Sequence, residues 1–255
     1  MPPALGIVHV HSNYSHDGRD SLDALARFAV ERRIAFVGLT DHAEDFSEAR
    51  WREYVAECAR ASSDAVRLIP GLEFRFADFS GLHLLAFGLT QWIEPTTPDE
   101  FIRLASPASR ATALAHPILA SYEIPASVRD GIDAIEVWNA TYNTRYLPDP
   151  RAFRLLHRIQ RARPAVVGFA GLDQHDARND RETRVLVHET QAHDPLGAIK
   201  RGQFENRGRT MRFDAVRGVG GAPLALLYVA RWCYDRVERV QDVMVRVLRS
   251  RRGES

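Results

Sequence analysis

The sequence predicts an α/β fold built from repeated strand–helix units, and three observations favour this class. Short apolar runs alternate along the chain with longer segments whose apolar residues recur at three- and four-residue steps. The length of 255 residues suits one α/β domain. No internal repeat or low-complexity linker marks a second globular domain. Because strands that alternate with helices usually pair in parallel, we expect a mainly parallel sheet, either open or closed.

Eight apolar runs are predicted to be strands. In chain order they are LGIVHVH (5–11), AFVGLTDH (35–42), RLIPGLEF (67–74), LHLLAFG (82–88), TALAHP (112–117), DAIEVWN (133–139), AVVGFAG (165–171) and RVLVHE (184–189). Four segments have the periodicity of amphipathic helices, and they cover residues 21–33, 47–61, 98–109 and 149–163. Ser21 and Pro98 stand where a helix N-cap and a first-turn proline are expected.

The C-terminal segment is predicted to form one long amphipathic helix over residues 223–252, ending in RSRR. Its apolar positions are Leu226, Val229, Cys233, Val237, Val240, Met244 and Val247. We expect this helix to pack on the rest of the protein, and a homodimer contact is the second interpretation. Binding to a membrane surface is the third, because Asp235, Glu238 and Asp242 interrupt the basic face. The predicted domain therefore covers residues 1–221, and the helix forms a separate segment over 222–255.

Charge and cysteine content exclude several functional classes. The formal net charge of +1 gives no reason to expect nucleic acid as a partner. Cys58 and Cys233 are far apart and neither belongs to a Cys-x-x-Cys pair, so a reducing compartment fits better than a disulfide scaffold. The first residues lack the pattern of a secretory signal, and no stretch is apolar over the length of a membrane span. We therefore expect a cytoplasmic protein.

The stretch HVHSNYSHDG, residues 9–18, concentrates three histidines and an aspartate around the end of the first predicted strand. In a regular strand, His9 and His11 occupy positions i and i+2, so both rings project from the same face. Two adjacent imidazoles followed by a loop that carries a carboxylate indicate a site for a divalent metal.

Polar groups of the same kind occur near the other strand ends, so the chain offers nine potential metal ligands. They are His9, His11, Asp17, His42, Glu73, His83, His116, Asp173 and His175. The carboxyl ends of parallel strands meet at one face, where most of these groups can converge. His83 begins its strand, so its position depends on the direction of that strand. Imidazoles and carboxylates together suit zinc, manganese or iron better than calcium, and nine ligands exceed the needs of one tetrahedral ion. We therefore predict two or three divalent metal ions.

In this order, the motifs HVHSNYSHDG, TDH, GLEF, LHLLAFG, AHP and GLDQHD resemble those of the PHP (polymerase and histidinol phosphatase) superfamily, from about residue 5 to about residue 205. The resemblance implies a distorted (β/α)7 TIM-like barrel with a trinuclear metal centre. It also implies a distribution of the ligands among the ions: His9, His11, Glu73 and Asp173 on the first, His83 and His116 with a bridging Glu73 on the second, and Asp17, His42 and His175 on the third. The later stretch LGAIKRGQF (196–204) resembles a helix followed by Arg-Gly that many small members contain.

The sequence departs from the superfamily pattern in two places. The common final motif reads GSDAH, whereas this chain has GLDQH, so that Leu172 and Gln174 replace small residues. Only about thirty residues separate the fourth motif from the fifth, which leaves no room for the cap of some nucleotide-directed members. In addition, His16 lies beside Asp17 and could replace it as a ligand.

The resemblance and the ligand set predict a metal-dependent phosphoesterase that hydrolyses a small phosphate monoester, with a metal-bridging hydroxide as the nucleophile. A protonated group must assist the departing alkoxide, and the candidates are Asp41, His16 and His175. Arg145 and Arg178 follow predicted strands and could bind phosphate or a substrate carboxylate, although both also fit as surface arginines.

Two alternatives to a phosphoesterase stay open, together with the role of one asparagine. Asn139 could orient a ligand or line the pocket, and it could equally cap a turn. A PHP-type hydrolase of a carbamate, amide or ester bond would use the same metals on a different bond. A non-catalytic metal-binding module is the third hypothesis, because fold alone does not secure function. Such modules usually lose ligands, whereas this sequence keeps all nine.

Overall fold

The computed structural model describes residues 3–188 and 192–251, with side chains in the last helix described as far as Val237. Within these residues the chain has a mixed α/β fold with two six-stranded sheets and seven α-helices. In spatial order, the first sheet contains β12 (Arg212–Asp214), β11 (Phe204–Arg207), β10 (Arg184–Val187), β1 (Ala4–Val10), β2 (Phe36–Leu39) and β4 (Arg67–Ile69). The second contains β3 (Asp41–His42), β5 (Leu72–Arg75), β6 (His83–Phe87), β7 (Ala111–Leu114), β8 (Ala134–Asn139) and β9 (Val167–Gly171).

Most of the helices begin at a residue whose side chain caps the first turn. They are α1 (Leu22–Glu31), α2 (Glu48–Ala61), α3 (Pro98–Ala108), α4 (Ala126–Gly131), α5 (Pro150–Gln160), α6 (Pro195–Lys200) and α7 (Gly221–Arg251). Ser21 caps α1 by accepting a hydrogen bond from Ala24 N, and Asp149 caps α5 by accepting one from Arg151 N. Such caps typically contribute about 1 kcal/mol each. The helices α4 and α6 contain only six residues each, too few to show a helical period in the sequence.

The direction of β6 determines where His83 lies. Five strand pairings are parallel and five are antiparallel within the described residues, so the sheets are mixed rather than mainly parallel. The strand β6 runs antiparallel to both of its neighbours, β5 and β7. The first residue of β6 therefore lies beside the last residues of β5, and His83 pairs with Arg75. His83 thus reaches the edge at which the parallel strands end.

Two predicted strands are each divided in the structure. Residues 67–74 form β4 and β5, which are separated at Pro70 and Gly71. Proline cannot donate to a ladder, and a Cβ at Gly71 would stand 2.5 Å from Ala86 O. Residues 35–42 form β2 and β3, with only Thr40 between them. The predicted strand 184–189 becomes β10 over 184–187, and its last residue, Glu189, lies outside the described residues.

The two sheets contact each other in two places and share one core. The strand β2 continues into β3, and the segment after β9 bonds to β1 through Leu172 N to Val8 O at 3.1 Å. Inside, the rings of Phe87 and Phe169 meet edge to face with centroids 5.6 Å apart. Leu196 of α6 packs into the same core. Each such fully buried side chain contributes about 1.5–3 kcal/mol.

The chain divides into two compact units, the first ending at Gly218 and the second beginning at Val219. The second unit contains α7, in which Arg231 and Asp235 form an i, i+4 ion pair of 3.1 Å. Four apolar side chains on α7 are exposed, namely Leu226, Val229, Trp232 and Val237. The side chains predicted at Val240, Met244 and Val247 lie outside the described part of the helix. Over the described residues, no helix combines the length and hydropathy that a membrane span requires.

Candidate metal centre

His9 leaves the regular geometry of β1. The pairing of β1 with β2 shifts register between Val8 and Val10, and His9 between them has a φ of 61°, in the left-handed region. Such a bulge re-aims a side chain at a cost in backbone energy. The His9 and His11 rings lie 5.4 Å apart, centroid to centroid. The two imidazoles therefore meet through a bulge rather than through regular strand alternation.

Glu73 on β5 is the centre of the cluster and is 1% exposed. Its Oε1 lies 2.6 Å from His83 Nδ1 and 3.2 Å from His116 Nε2. Its Oε2 lies 3.4 Å from His9 Nε2 and 3.3 Å from His11 Nε2. His42 Nδ1 also lies 3.5 Å from Oε2. Each carboxylate oxygen thus faces at least two imidazoles, an arrangement that allows this side chain to bridge two cations.

Asp173 approaches the same imidazoles from β9. Its Oδ1 lies 3.4 Å from His9 Nε2 and 3.3 Å from His11 Nε2. The residue follows the end of β9 and also has a positive φ, of 50°. His9, within β1, and Asp173, just after β9, therefore adopt a backbone conformation that non-glycine residues seldom adopt. Strained conformations of this kind concentrate at functional sites.

A second part of the cluster surrounds Asp17. The Asp17 Oδ2 atom lies 3.1 Å from His42 Nε2 and 3.2 Å from His175 Nε2. The His11 ring stacks on that of His175 with centroids 4.3 Å apart and lies 4.5 Å from that of His42. His11 therefore connects this part to Glu73 and Asp173.

All nine predicted ligands lie in this continuous cluster, and two sets of four bring their donor atoms within 4.8 Å of one another. The first set is His9, Glu73, His116 and Asp173, and the second is His11, Asp17, His42 and His175. Within the described residues, His11 Nε2 and His116 Nδ1 are buried and make no hydrogen bond. Buried nitrogens usually have a partner, and imidazoles with carboxylates form the donor set of zinc, manganese and iron sites. The residues present therefore fit divalent metal ions.

The buried histidines and carboxylates of the cluster shift one another's pKa values. Burial alone would lower the pKa of His11, but the carboxylates of Asp173 and Glu73, each 3.3 Å from His11 Nε2, outweigh it and raise this pKa to about 9. Burial would raise the pKa of Glu73, but the surrounding imidazoles, His11 first, hold it well below its usual value. Burial and the nearby His11 lower the pKa of His42 to about 4. The buried carboxylates are thus negative and require positive charge beside them.

Glu136 on β8 holds the ligands from behind. Its Oε1 lies 2.9 Å from His9 Nδ1, and its Oε2 accepts a hydrogen bond from His116 N at 2.7 Å. Asn139 Nδ2 donates to the same oxygen at 2.9 Å and lies 3.4 Å from Asp173 Oδ2. Outer carboxylates of this kind fix the orientation and tautomer of a ligating histidine. The sequence analysis did not predict a role for Glu136. The available signal was an acidic residue inside the apolar run DAIEVWN, where a carboxylate is costly to bury.

Asp41 and His16 occupy different surroundings. Asp41 is fully buried, and its carboxylate accepts hydrogen bonds from the hydroxyl groups of Ser12 at 3.0 Å and Ser15 at 2.8 Å. It therefore anchors the loop that carries the first motif. The His16 side chain is 54% exposed, and its Nδ1 lies 2.8 Å from Asp45 Oδ2. The His16 ring stacks beside the His42 ring at 5.2 Å, so it stands at the edge of the cluster.

A cavity of about 280 Å³ opens beside the cluster. Its lining consists of Asp17, Arg19, Thr141, Leu172, Asp173, Gln174, His175, Asp176, Asn179 and Arg181. Neither of the predicted substrate-binding arginines, Arg145 and Arg178, belongs to this lining. Arg178 instead pairs with Asp176, with its Nη2 at 2.6 Å from Oδ2. Arg145 lies with its guanidinium 5.6 Å from the centre of the Tyr146 ring.

A protein-family model for the PHP domain matches residues 8–137, about half of the chain. The chain belongs to the PHP domain family. Among solved structures, this PHP domain resembles a candidate metal-dependent phosphoesterase from Bifidobacterium adolescentis with a TM-score of 0.53 and 17% sequence identity. The alignment covers 78% of this chain and 98% of that chain. At such identity the likeness concerns the fold alone. The search of curated proteins found no match.

Gln174 is a specific feature of this PHP domain, because the common motif has alanine there. It is 5% exposed, and neither its Oε1 nor its Nε2 has a hydrogen-bond partner within the described residues. We expect Gln174→Met to raise the free energy of unfolding by about 1–3 kcal/mol, since it removes a buried, unpaired amide at similar volume. Urea denaturation of the metal-free protein measures this change.

Gln160→Met is the matched control for that substitution. Gln160 Nε2 donates to Val166 O at 2.8 Å and to Val216 O at 2.7 Å, so the same replacement there should lower stability. A loss of stability in Gln174→Met comparable to that in Gln160→Met would contradict the prediction, because it would show that the Gln174 amide is paired.

Proposed function

We propose that this PHP domain is a metal-dependent hydrolase that cleaves a small phosphate monoester at a trinuclear metal site. The observation that carries the proposal is the convergence of nine donor side chains in one cluster, in which the other eight lie around the buried carboxylate of Glu73. We further propose that β1, β2 with β3, β4 with β5, β6, β7, β8 and β9 form a distorted seven-stranded barrel, with β10 to β12 outside it. The continuity of β2 with β3 and the bonds between β1 and the segment after β9 support this arrangement.

The proposed ligand assignment follows the contacts in the cluster. Glu73 would bridge two ions, one shared with His83 and His116 and the other with His9, His11 and Asp173. The third ion would be held by Asp17, His42 and His175. Bound divalent ions supply Lewis acidity, which lowers the pKa of water and neutralises the charge that develops on phosphoryl oxygens.

We propose that His16 supplies the proton for the leaving group. Of the three candidates, Asp41 is occupied by the hydroxyl groups of the first loop, and His175 faces Asp17 as a proposed ligand. The Nδ1 atom of His16 bonds to Asp45, so the protonated ring presents Nε2–H as the group that can donate. The exposure of the side chain leaves that proton replaceable from solvent. We propose that this pair delivers a proton to the departing alkoxide oxygen.

Arg75 lies beside His42, one of the proposed ligands of the third ion. Its Nη2 lies 2.9 Å from His42 Nε2, and its Nη1 lies 3.4 Å from Glu44 Oε1. The guanidinium thus contacts an acidic side chain on one side and a proposed ligand on the other. We propose that it binds a phosphoryl oxygen, since a planar guanidinium matches phosphate geometry.

The test compares bond types on one protein. Protein loaded with zinc, manganese or iron is assayed with an aryl phosphate and with aryl carbamate and anilide analogues, in parallel with Asp17→Asn. We expect turnover of the phosphate monoester and a fall of about 100-fold or more in Asp17→Asn, because the variant loses a ligand charge. Asp64→Asn, at an exposed position outside the cluster, is the matched control and should retain wild-type activity. Faster hydrolysis of the carbamate or anilide than of the monoester would overturn the proposal in favour of acyl chemistry.

A further inference from the structure

The cavity beside Asp17 and His175 carries two cationic side chains that the proposed phosphoryl chemistry does not use. Arg19 and Arg181 both line it, together with Asn179 and Thr141. The volume of about 280 Å³ lies near the lower limit for small-molecule sites, so a compact group would fill it. The two arginines and the small volume together indicate the chemical class of ligand that the cavity binds.

The surrounding loops are bonded to one another, so the cavity is formed without a ligand. Arg19 N donates to His175 O at 2.9 Å, and Ala177 N donates to Asp20 Oδ2 at 2.6 Å. On the other side, Thr141 Oγ1 donates to Asp173 O at 3.0 Å. These bonds join the loop after β1, the loop after β8 and the loop after β9. A preformed pocket loses less entropy when a ligand binds.

The acidic residues of the lining are already engaged, and within the described residues their one ion pair with a lining arginine is a long contact between Asp176 and Arg19. Asp176 accepts hydrogen bonds at both oxygens from Arg178, at distances of 2.6 to 3.1 Å. Arg19 Nη1 lies 3.7 Å from that carboxylate, beyond hydrogen-bond distance. Asp17 and Asp173 belong to the proposed ligand set, so their charge is directed to the ions.

Arg181 has donors to spare. Its Nη1 donates to Ala140 O at 2.9 Å, and this is the one hydrogen bond of its guanidinium in the described portion of the chain. A guanidinium carries five N–H donors. Two arginines with free donors on a small, preformed cavity next to a phosphoryl site constitute a receptor for an anion.

We propose that this cavity binds a second anionic group of the substrate, a carboxylate or a second phosphate, through Arg19 and Arg181. The inference rests on the proposed function, because the first anionic group is the phosphoryl group at the metal cluster. The substrate class is therefore a small phosphate ester that also carries a negative group a few bonds away. Arg181 anchors the group from the loop after β9, and the exposed Arg19 closes on it from the loop after β1.

Binding of non-hydrolysable phosphonates tests the proposal independently of turnover. The three probes share a two-carbon spacer and differ at the far end: phosphonopropionate carries a carboxylate, ethylenediphosphonate a second phosphonate, and hydroxypropylphosphonate a neutral hydroxymethyl group. Calorimetric titration of the metal-loaded protein should give a dissociation constant for at least one probe with two anionic groups that is about 10- to 100-fold lower than for the hydroxyl probe. The tighter-binding of the two probes with a second anionic group shows whether the cavity takes a carboxylate or a second phosphate.

Variants then assign the preference to the two arginines. Arg19→Gln and Arg181→Gln should each reduce the preference for a second anionic group, and the double variant should abolish it. The dissociation constant of the hydroxyl probe should stay unchanged. Arg181→Lys should restore part of it, because the charge is kept and the planar fork is lost. Arg52→Gln, at an exposed position on α2, is the control. Equal affinity for all three probes, or a preference that survives in the double variant, would overturn the proposal. If the probes with a second anionic group bind more tightly but no phosphate ester is hydrolysed, the proposed phosphoesterase activity is wrong and the proposed anion site is retained.

Discussion

Glu73→Gln is expected to lower hydrolysis by about 1,000-fold, equivalent to ~4 kcal/mol of transition-state stabilisation, and to release at least one metal ion per chain. The reason is the position of its carboxylate, which contacts five imidazoles through two oxygens. Glutamine keeps the shape but has one oxygen and no charge, so it cannot bridge two cations. Elemental analysis of purified protein, paired with the monoester assay, measures both effects.

The matched control for Glu73 is Glu53→Gln, which makes the same change at an exposed position on α2. It should keep the metal content and the activity of the wild type. Circular dichroism of the three proteins shows whether the fold is retained. Full metal content in Glu73→Gln with more than about a tenth of the activity would contradict a bridging role for this carboxylate.

Glu136→Gln is expected to weaken metal binding by about 10- to 100-fold, although Glu136 is not a proposed ligand. Its two oxygens accept from His9 Nδ1, His116 N and Asn139 Nδ2. In Glu136→Gln, an NH2 group replaces one carboxylate oxygen and faces a hydrogen-bond donor. The His9 ring is then no longer held in its orientation. The same conflict should lower the free energy of unfolding of the metal-free protein by about 1–3 kcal/mol.

Competition titration with a metal chelator measures the affinity, and urea denaturation measures the stability. Glu53→Gln again provides the comparison. A variant that unfolds more easily but binds metal with unchanged affinity would show that Glu136 supports the fold alone and does not orient the ligands.

The strands and helices that the sequence could predict are those with strong local signals. Ser21 and Asp149 mark helix starts that the structure contains, because capping depends on a few neighbouring residues. The PHP resemblance, which rests on short motifs in a fixed order, is confirmed by the family match. The convergence of most of the nine polar residues was predictable as well, with His83 as the exception, since strand ends in α/β folds share one face.

What the sequence could not predict depends on distant partners. The antiparallel direction of β6, which brings His83 to Glu73, is a property of sheet pairing and not of the local run LHLLAFG. The bulge at His9 arises where β1 pairs with β2, and its positive φ leaves no sequence signal, since histidine takes that conformation only occasionally. Arg19 and Arg181 come to one cavity from loops far apart in sequence, whereas Arg178, chosen from its position after a strand, is paired with Asp176.

The proposed function requires that two linked groups of histidines and carboxylates around Glu73 hold divalent ions. Anomalous diffraction from crystals of metal-loaded protein, with data above and below the absorption edge of the metal, locates such ions. We expect anomalous peaks within the set of His9, Glu73, His116 and Asp173 and within the set of His11, Asp17, His42 and His175. The absence of any peak at these sets in protein soaked with zinc, manganese or iron, with the side chains paired to one another, would contradict the proposed function.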